Sequence, residues 1–170
     1  MRELYLKIID TFTKNEDIKD QYRTAGLKPV QYVDLYAGQD VNPEYFELQI
    51  YPALYISFNF DHRPVPILAT ITIRCCYEQL RDTSSLSATT AEALKFLDFI
   101  EKTDEILQTV ETERFGKLTT ATTDQQIEET VTDEFVLTYT ASYTKKPVEF
   151  RTGNIDDITV KAGLYTQLLD

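Results

Sequence analysis

The chain has 170 residues, which is typical of one domain and long enough to bury a sizeable core. Its formal net charge of −11 comes from 17 basic and 28 acidic residues. This charge excludes a tightly wrapped nucleic-acid partner, because phosphate neutralisation needs clustered Lys and Arg. The sequence has no apolar run near the ~20 residues that span a bilayer, so no membrane association is expected.

The N-terminal region predicts two helices. Apolar residues recur every four positions over residues 3–14, which is the pattern of one buried helix face. They are Leu4, Ile8 and Phe12. The pattern fades near Asn15, and a second short helix is expected over residues 16–24. Gly26 follows that helix and fits a C-terminal cap.

Residues 27–50 have no clear periodicity. A short extended piece is expected within 30–36, and Gly38 and Asn42-Pro43 interrupt the chain after it. We interpret the whole stretch as a partly ordered arm that leads into the first core strand. Such a segment is either a candidate binding element or an irregular surface connection.

The stretch 51–77 predicts the central hairpin of the fold. Apolar and polar residues alternate in two runs, which places one set on a buried face and the other toward solvent or a partner. The buried set is Leu54, Ile56, Phe58, Phe60, Ala69, Ile71, Ile73, Cys75 and Tyr77. Pro64 and Pro66 cannot donate ladder hydrogen bonds, so the chain must turn between the runs.

The two cysteines, Cys75 and Cys76, are neighbours in the second run. Adjacent residues of a strand point to opposite faces, so these thiols are poorly placed to form a disulfide with each other. Their spacing also matches no zinc motif. The absence of a disulfide framework fits a protein in a reducing compartment.

A long helix is predicted over residues 90–110. Thr89 and Glu92 have the spacing of a capping box, and Gly116 lies just past the expected end. Two adjoining rows of mainly apolar residues predict a broad stripe that packs on the sheet. One row is Leu94, Leu97, Ile100, Asp104 and Leu107, and the other is Phe96, Phe99, Thr103, Ile106 and Val110.

The second half of the chain predicts two more strands. Residues 117–131 are Thr-rich and then acidic, and a turn is expected near Thr123-Asp124. Residues 135–143 alternate clearly and form the second of these strands. The predicted fold is therefore α+β, with a single antiparallel β-sheet of about four strands packed against one long and one N-terminal helix. We assign residues 1–146 to this domain and 147–170 to a C-terminal arm that docks on the core or on a neighbouring subunit.

The sequence has no pattern that indicates catalysis, and the chain is not expected to be an enzyme. His62 is the one histidine and lies in a turn context, away from a nucleophile motif. The acidic residues near the third strand indicate a solvated edge; they are Asp124, Glu128, Glu129, Asp133 and Glu134. We therefore expect no catalytic residue, no cofactor-binding residue and no metal ligand, and no cofactor.

Three stretches resemble phage tail terminators and head–tail neck proteins of Bacteroidetes phages and prophages. The first is the segment 31–39, QYVDLYAGQ, followed by a Pro-Ala pair that opens the first strand at 51–56. The second is the strand 67–77 followed by the long helix. The third runs from Phe115 through Asp124 to the strand at 135–143. The resemblance covers residues 1–143.

This resemblance implies a small α+β subunit of the virion that assembles as a ring, commonly a hexamer. The ring would be assembled in the cytoplasm of the bacterial host and join neighbouring neck and tail-tube proteins. DNA would pass through its channel without sequence-specific binding. Two alternatives stay open, namely another neck, adaptor or tail-tube ring protein, and a cytosolic domain that binds a small ligand or is an enzyme.

Overall fold

The computed structural model of the chain describes residues 1–42, 50–77, 83–126 and 133–145. In this part of the chain, three helices pack against a five-stranded sheet, so the fold is α+β. The strand order is β1-β2-β3-β5-β4. The expected sheet of about four antiparallel strands is therefore corrected to a mixed sheet of five. The predicted domain limit and the arm at 147–170 lie at or beyond the end of the described residues.

The two N-terminal helices form as the sequence predicts. Helix α1 (Arg2–Ile9) continues into a π-helical turn (Asp10–Lys14), and helix α2 spans Glu16–Thr24. Leu4, Ile8 and Phe12 are fully buried, as their spacing indicates. Asn15 is the N-cap of α2, because its Oδ1 accepts hydrogen bonds from the backbone N–H groups of Asp17 and Ile18 at 3.0 and 3.4 Å.

Gly26 closes α2 in the way that the sequence predicts. Its φ of +71° lies in the left-handed region, where a residue with a Cβ is strained. The Leu27 N–H donates to the Tyr22 carbonyl at 2.9 Å, and the Gly26 N–H donates to the Arg23 carbonyl at 3.0 Å. These two bonds form a Schellman motif, and the buried Leu27 side chain supplies its hydrophobic contact.

The central hairpin is also confirmed. Strand β2 (Ala53–Asp61) pairs antiparallel with strand β3 (Ile67–Tyr77), and the connection contains Pro64 and Pro66. The apolar set faces the helices, with Leu54, Ile71 and Ile73 fully buried. The period-two alternation therefore correctly predicted the two strands and the face of each that packs on the helices.

The short extended piece expected within 30–36 is confirmed, but the interpretation of residues 27–50 as an arm is wrong for its first part. Strand β1 (Tyr32–Leu35) joins the sheet and pairs in parallel with β2, with Tyr32 opposite Ala53. Val30 and Val33 belong to the buried core. A four-residue strand is too short for alternation to show, and a parallel partner depends on contacts that are distant in sequence. Residues 43–49 lie outside the described part of the chain.

The strands of the second half form, but the turn expected near Thr123-Asp124 is not there. Strand β4 (Thr119–Gln125) and strand β5 (Asp133–Tyr143) pair antiparallel, and β5 lies between β3 and β4. Thr123 and Asp124 lie inside β4 rather than in a turn, because their pairing with β5 continues to Gln125 opposite Phe135. Residues 127–132 lie outside the described part of the chain.

Helix α3 (Thr90–Leu107) is shorter than predicted and buries one of the two predicted rows fully. The row that contains Phe96, Phe99 and Thr103 is buried. In the other row, Leu94 and Leu97 are 41% and 43% exposed, so the stripe is narrower than expected. The capping box is also absent, because Thr89 makes no side-chain cap and the Glu92 carboxylate pairs with Lys95.

Gly116 has a packing role rather than the expected role as a helix end. It lies beside strand β5, and its N–H donates to the Ser142 carbonyl at 3.1 Å. A Cβ at this position would lie 2.7 Å from Ser142 Oγ, which is closer than real contacts allow. The glycine therefore leaves room for the side chain of Ser142.

Asp104 connects α3 to the sheet. Its Oδ1 accepts the hydroxyl of Tyr139 at 2.7 Å and that of Thr120 at 2.9 Å. These contacts explain why a carboxylate occupies a position in a predicted apolar row. Burial and the neighbouring Asp104 raise the pKa of Tyr139, so its hydroxyl stays protonated and donates.

We expect Tyr139→Phe to lower the free energy of unfolding by about 1–3 kcal/mol, because Asp104 would lose a donor in a half-buried position. Urea denaturation measures this change. Tyr143→Phe is the matched control, since Tyr143 lies in the same strand and no hydrogen bond of its hydroxyl occurs among the described residues. Equal losses in the two variants would show that the bond to Asp104 contributes nothing to stability.

Candidate functional site

One face of the sheet is the most distinctive surface of the molecule. The described helices contribute to one core cluster with the apolar set of the strands, so they all pack on the same face. We call the opposite side the free face. Along β2, β3, β5 and β4 it carries the polar set of the alternation.

Two regular rows of polar side chains cross the free face. Residues directly opposite each other in an antiparallel pair project from the same face, so the register defines each row. The first row is Ser57, Thr72, Thr138 and Thr122, and the second is Asn59, Thr70, Thr140 and Thr119. All eight side chains are uncharged, and all are half-buried or exposed. This part of the free face is therefore a surface of hydroxyl and amide groups across four strands.

A segment that follows β1 lies over one end of the free face. We call residues 36–42 the covering segment. Its fold is held by Gln39, whose Nε2 donates to the Leu35 carbonyl and whose Oε1 accepts the Ala37 N–H, both at 2.7 Å. Gly38 has a φ of +90°, which lets the chain reverse there. Gln39 and Asp40 are buried as a result.

Three charged residues meet beneath the covering segment, and we call them the Arg74 cluster. The Arg74 Nη1 lies 2.6 Å from Glu134 Oε1 and 3.2 Å from Asp40 Oδ2. Both carboxylates have side chains that are 0% exposed, and the Arg74 side chain is 24% exposed. The guanidinium carbon also lies 4.3 Å from the centre of the Tyr36 ring, which is a cation–π contact. The cluster thus joins β3, β5 and the covering segment.

The cluster has more carboxylates than cations, and this imbalance perturbs its titration. Burial raises the pKa of Glu134; the bond to Arg74 opposes this rise, and the nearby Asp40 adds to it. Burial lowers the pKa of Arg74, but its pairs with Glu134 and Asp40 raise it, and the net shift is upward. A proton on Glu134 therefore balances the charges of the buried group.

Polar atoms without partners surround the cluster. Among the described residues, Asp40 Oδ1 and the hydroxyls of Tyr51 and Tyr55 are buried without a hydrogen bond. Tyr55 packs with Ala53 and Cys76 in a small second core on this side of the sheet. The expectation that the polar set faces solvent or a partner is thus wrong at this end, where the covering segment buries it.

The residues that the sequence singled out for chemistry are not brought together. His62 is exposed in the hairpin connection and stacks on Phe60, with ring centroids 6.3 Å apart. Cys75 lies in the main core and Cys76 in the second core, so the two thiols point to opposite faces as predicted. Burial raises the pKa of the Cys75 thiol, which makes it a poor nucleophile.

Two surface cavities lie beside helix α2. One of about 350 Å³ is lined by Thr13, Lys19, Arg23, Pro29, Val30 and Gln31. Its two cations are already paired with acidic residues of the same helix, namely Glu16 and Asp20. The other, of about 480 Å³, lies between α2 and Lys102 of α3. Most of the residues that line the two cavities are polar or charged.

Within the described ranges, no three His, Cys, Asp or Glu residues are grouped as metal ligands. None of the described helices is long and apolar enough to cross a bilayer. The described surface offers instead the free face and the free edge of β4.

Sequence reasoning missed the Arg74 cluster, and one signal for it was available. Arg74 stands in the middle of an otherwise apolar and Thr-containing strand. A charge at such a position needs a partner when it is buried. The partners Asp40 and Glu134 are 34 and 60 residues away along the chain, so the sequence does not identify them.

No protein-family model matches the chain, and no curated protein sequence is significantly similar to it.

Proposed function

We propose that the chain is a structural subunit of a tailed-bacteriophage virion, namely a ring-forming tail terminator or head–tail joining protein around the DNA channel. The resemblance in residues 1–143 supports this assignment, and so does the net charge of −11. The observation that carries the proposal is the pair of uncharged polar rows on the free face, which cross four strands and which no described helix covers. A subunit of an assembly has partners for such a surface, whereas an enzyme would need a reactive site.

The chemistry of the free face fits DNA that passes without being held. Hydroxyl groups form hydrogen bonds with phosphate oxygens, but only cations release the counterions that make binding tight. The two polar rows contain no Lys or Arg. DNA would therefore meet a surface that neither binds it strongly nor reads its sequence.

The edges of the sheet support contact between copies. Strand β4 is one of the two outer strands, and six of its seven residues are exposed. It contains neither Pro nor Lys, which commonly protect free edges from pairing. The proposed partners are further copies in a ring, commonly six, together with neck and tail-tube proteins of the particle. The proposed place of action is the virion, after assembly in the cytoplasm of the bacterial host.

Mass in solution tests this proposal. We expect light scattering after size exclusion to show a discrete species that contains several 19.6-kDa chains. The fraction of the protein in this species should increase with protein concentration. A chain ending at residue 146 should keep the circular dichroism of the full chain and assemble less, because a terminal arm that docks on a neighbour would be lost. A monomer with a bound metal or small molecule would instead favour the ligand-binding or enzymatic alternative.

A further inference from the structure

We propose that the Arg74 cluster is a proton-dependent latch that holds the covering segment on the free face and releases it as the pH rises. This latch goes beyond the proposed function and does not depend on it. It rests on the geometry of the three buried charges and on the groups that surround them.

The cluster is the charged contact that ties the covering segment to strands β3 and β5. Asp40 is the one charged residue of the segment, and its Oδ2 lies 3.2 Å from Arg74 Nη1. Tyr36 adds the cation–π contact from the start of the segment. The polar contacts of Gln39 remain within the chain from Leu35 onward, so they shape the segment without anchoring it to β3 or β5.

The state of the latch depends on the proton of Glu134. When Glu134 is protonated, one guanidinium faces one carboxylate, and the buried charges balance. When Glu134 is ionised, two buried carboxylates share one guanidinium. Like charges in a buried site repel strongly, so the second state favours opening.

The groups that face Glu134 come from every element around it. Arg74 and Cys76 project from β3, with Cys76 Sγ donating to Glu134 Oε2 at 3.5 Å. Asp40 and Tyr36 come from the covering segment, Tyr51 lies just before β2, and Tyr55 lies in its first part. Burial also raises the pKa of these tyrosines, so they remain neutral in the range where Glu134 titrates.

The sign of the effect follows from linkage. The pKa of Glu134 is raised in the closed state, so the closed state binds the proton more tightly than the open state does. The latch is therefore fully stabilised below the pKa of an exposed glutamate. This stabilisation is lost as the pH rises to the raised pKa of Glu134, and above it the loss levels off.

Amide hydrogen exchange of the covering segment tests the proposal. After correction for intrinsic exchange rates, protection of residues 36–42 should fall by up to about tenfold per pH unit as the pH rises from about 4.3, the value of an ordinary glutamate, toward the raised pKa of Glu134. Glu134→Gln keeps the shape and removes the titration, so its protection should not change with pH. Glu92→Gln, in the exposed pair with Lys95, is the matched control and should keep the wild-type profile.

Two results would overturn the latch. One is protection of residues 36–42 that does not change with pH in the wild-type protein, and the other is protection in Glu134→Gln that falls with pH as steeply as in the wild-type protein. If Glu134→Gln does not fold, the carboxyl ¹³C shift of Glu134 in the wild-type protein gives an independent test. A titration midpoint above the value of about 4.3 for an ordinary glutamate supports the latch. A midpoint at or below that value overturns it.

Discussion

Replacing Arg74 by methionine is expected to lower the free energy of unfolding at neutral pH by about 3 kcal/mol. The change removes the one cation of the Arg74 cluster and leaves the carboxyls of Asp40 and Glu134 buried side by side. Methionine keeps much of the aliphatic part of the arginine side chain. The loss of unfolding free energy therefore results from the missing charge rather than from a cavity. The loss of one partner of a buried ion pair usually costs about 3–5 kcal/mol. We expect a value at the lower end of this range, because a quarter of the Arg74 side chain is exposed to solvent.

Arg63→Met is the matched control for this prediction. Arg63 also pairs with an aspartate, Asp61, at 2.7 Å, but its side chain is 90% exposed. Exposed pairs contribute little, so the control should lose less than about 1 kcal/mol. Urea denaturation of both variants measures the difference. Equal losses in the two variants would mean that the buried pairs of Arg74 do not stabilise the fold.

Replacing Phe99 by alanine is expected to lower the free energy of unfolding by about 3–5 kcal/mol. The ring is fully buried between helices and sheet, with its centroid 4.9 Å from that of Tyr77 and 5.5 Å from that of Tyr22. The neighbouring rings are held by their own contacts, so the cavity cannot close fully. The Tyr22 hydroxyl, for example, shares a hydrogen bond of 2.7 Å with the hydroxyl of Thr103 on the same helix as Phe99.

Leu97→Ala supplies the control on the same helix. Leu97 is 43% exposed and belongs to the row that the structure places partly outside the core. Its truncation should cost less than about 1 kcal/mol, as for most exposed positions. Denaturation of the two variants thus tests which row of α3 faces the sheet. A larger loss for Leu97→Ala than for Phe99→Ala would contradict this packing of the helix.

The elements that alternate or repeat over many residues could be predicted from the sequence. Strands β2, β3 and β5 have clear period-two patterns, and Leu4, Ile8 and Phe12 reveal the buried face of the first helix. The extended piece within 30–36 was predicted, but its place in the sheet as strand β1 was not, because four residues contain too little pattern and the partner strand is parallel. The exposure of Leu94 depends on how far the sheet extends under α3, which no local pattern determines.

The candidate site was predictable only in part. The polar sets of β2 and β3 indicated that one face would lack an apolar covering, and the register with β5 and β4 then aligns them into rows. The Arg74 cluster was not predictable, since Asp40 was assigned to an arm and Glu134 to a solvated edge. Burial of both follows from tertiary contacts with Arg74 rather than from their own neighbours in sequence.

The proposal that this chain builds a ring around a channel is tested most directly by negative-stain electron microscopy of the concentrated protein. We expect closed rings, commonly of six copies, with a central opening wide enough for duplex DNA. Particles of several copies without an opening, or fields of single copies at every concentration, would contradict the proposed ring.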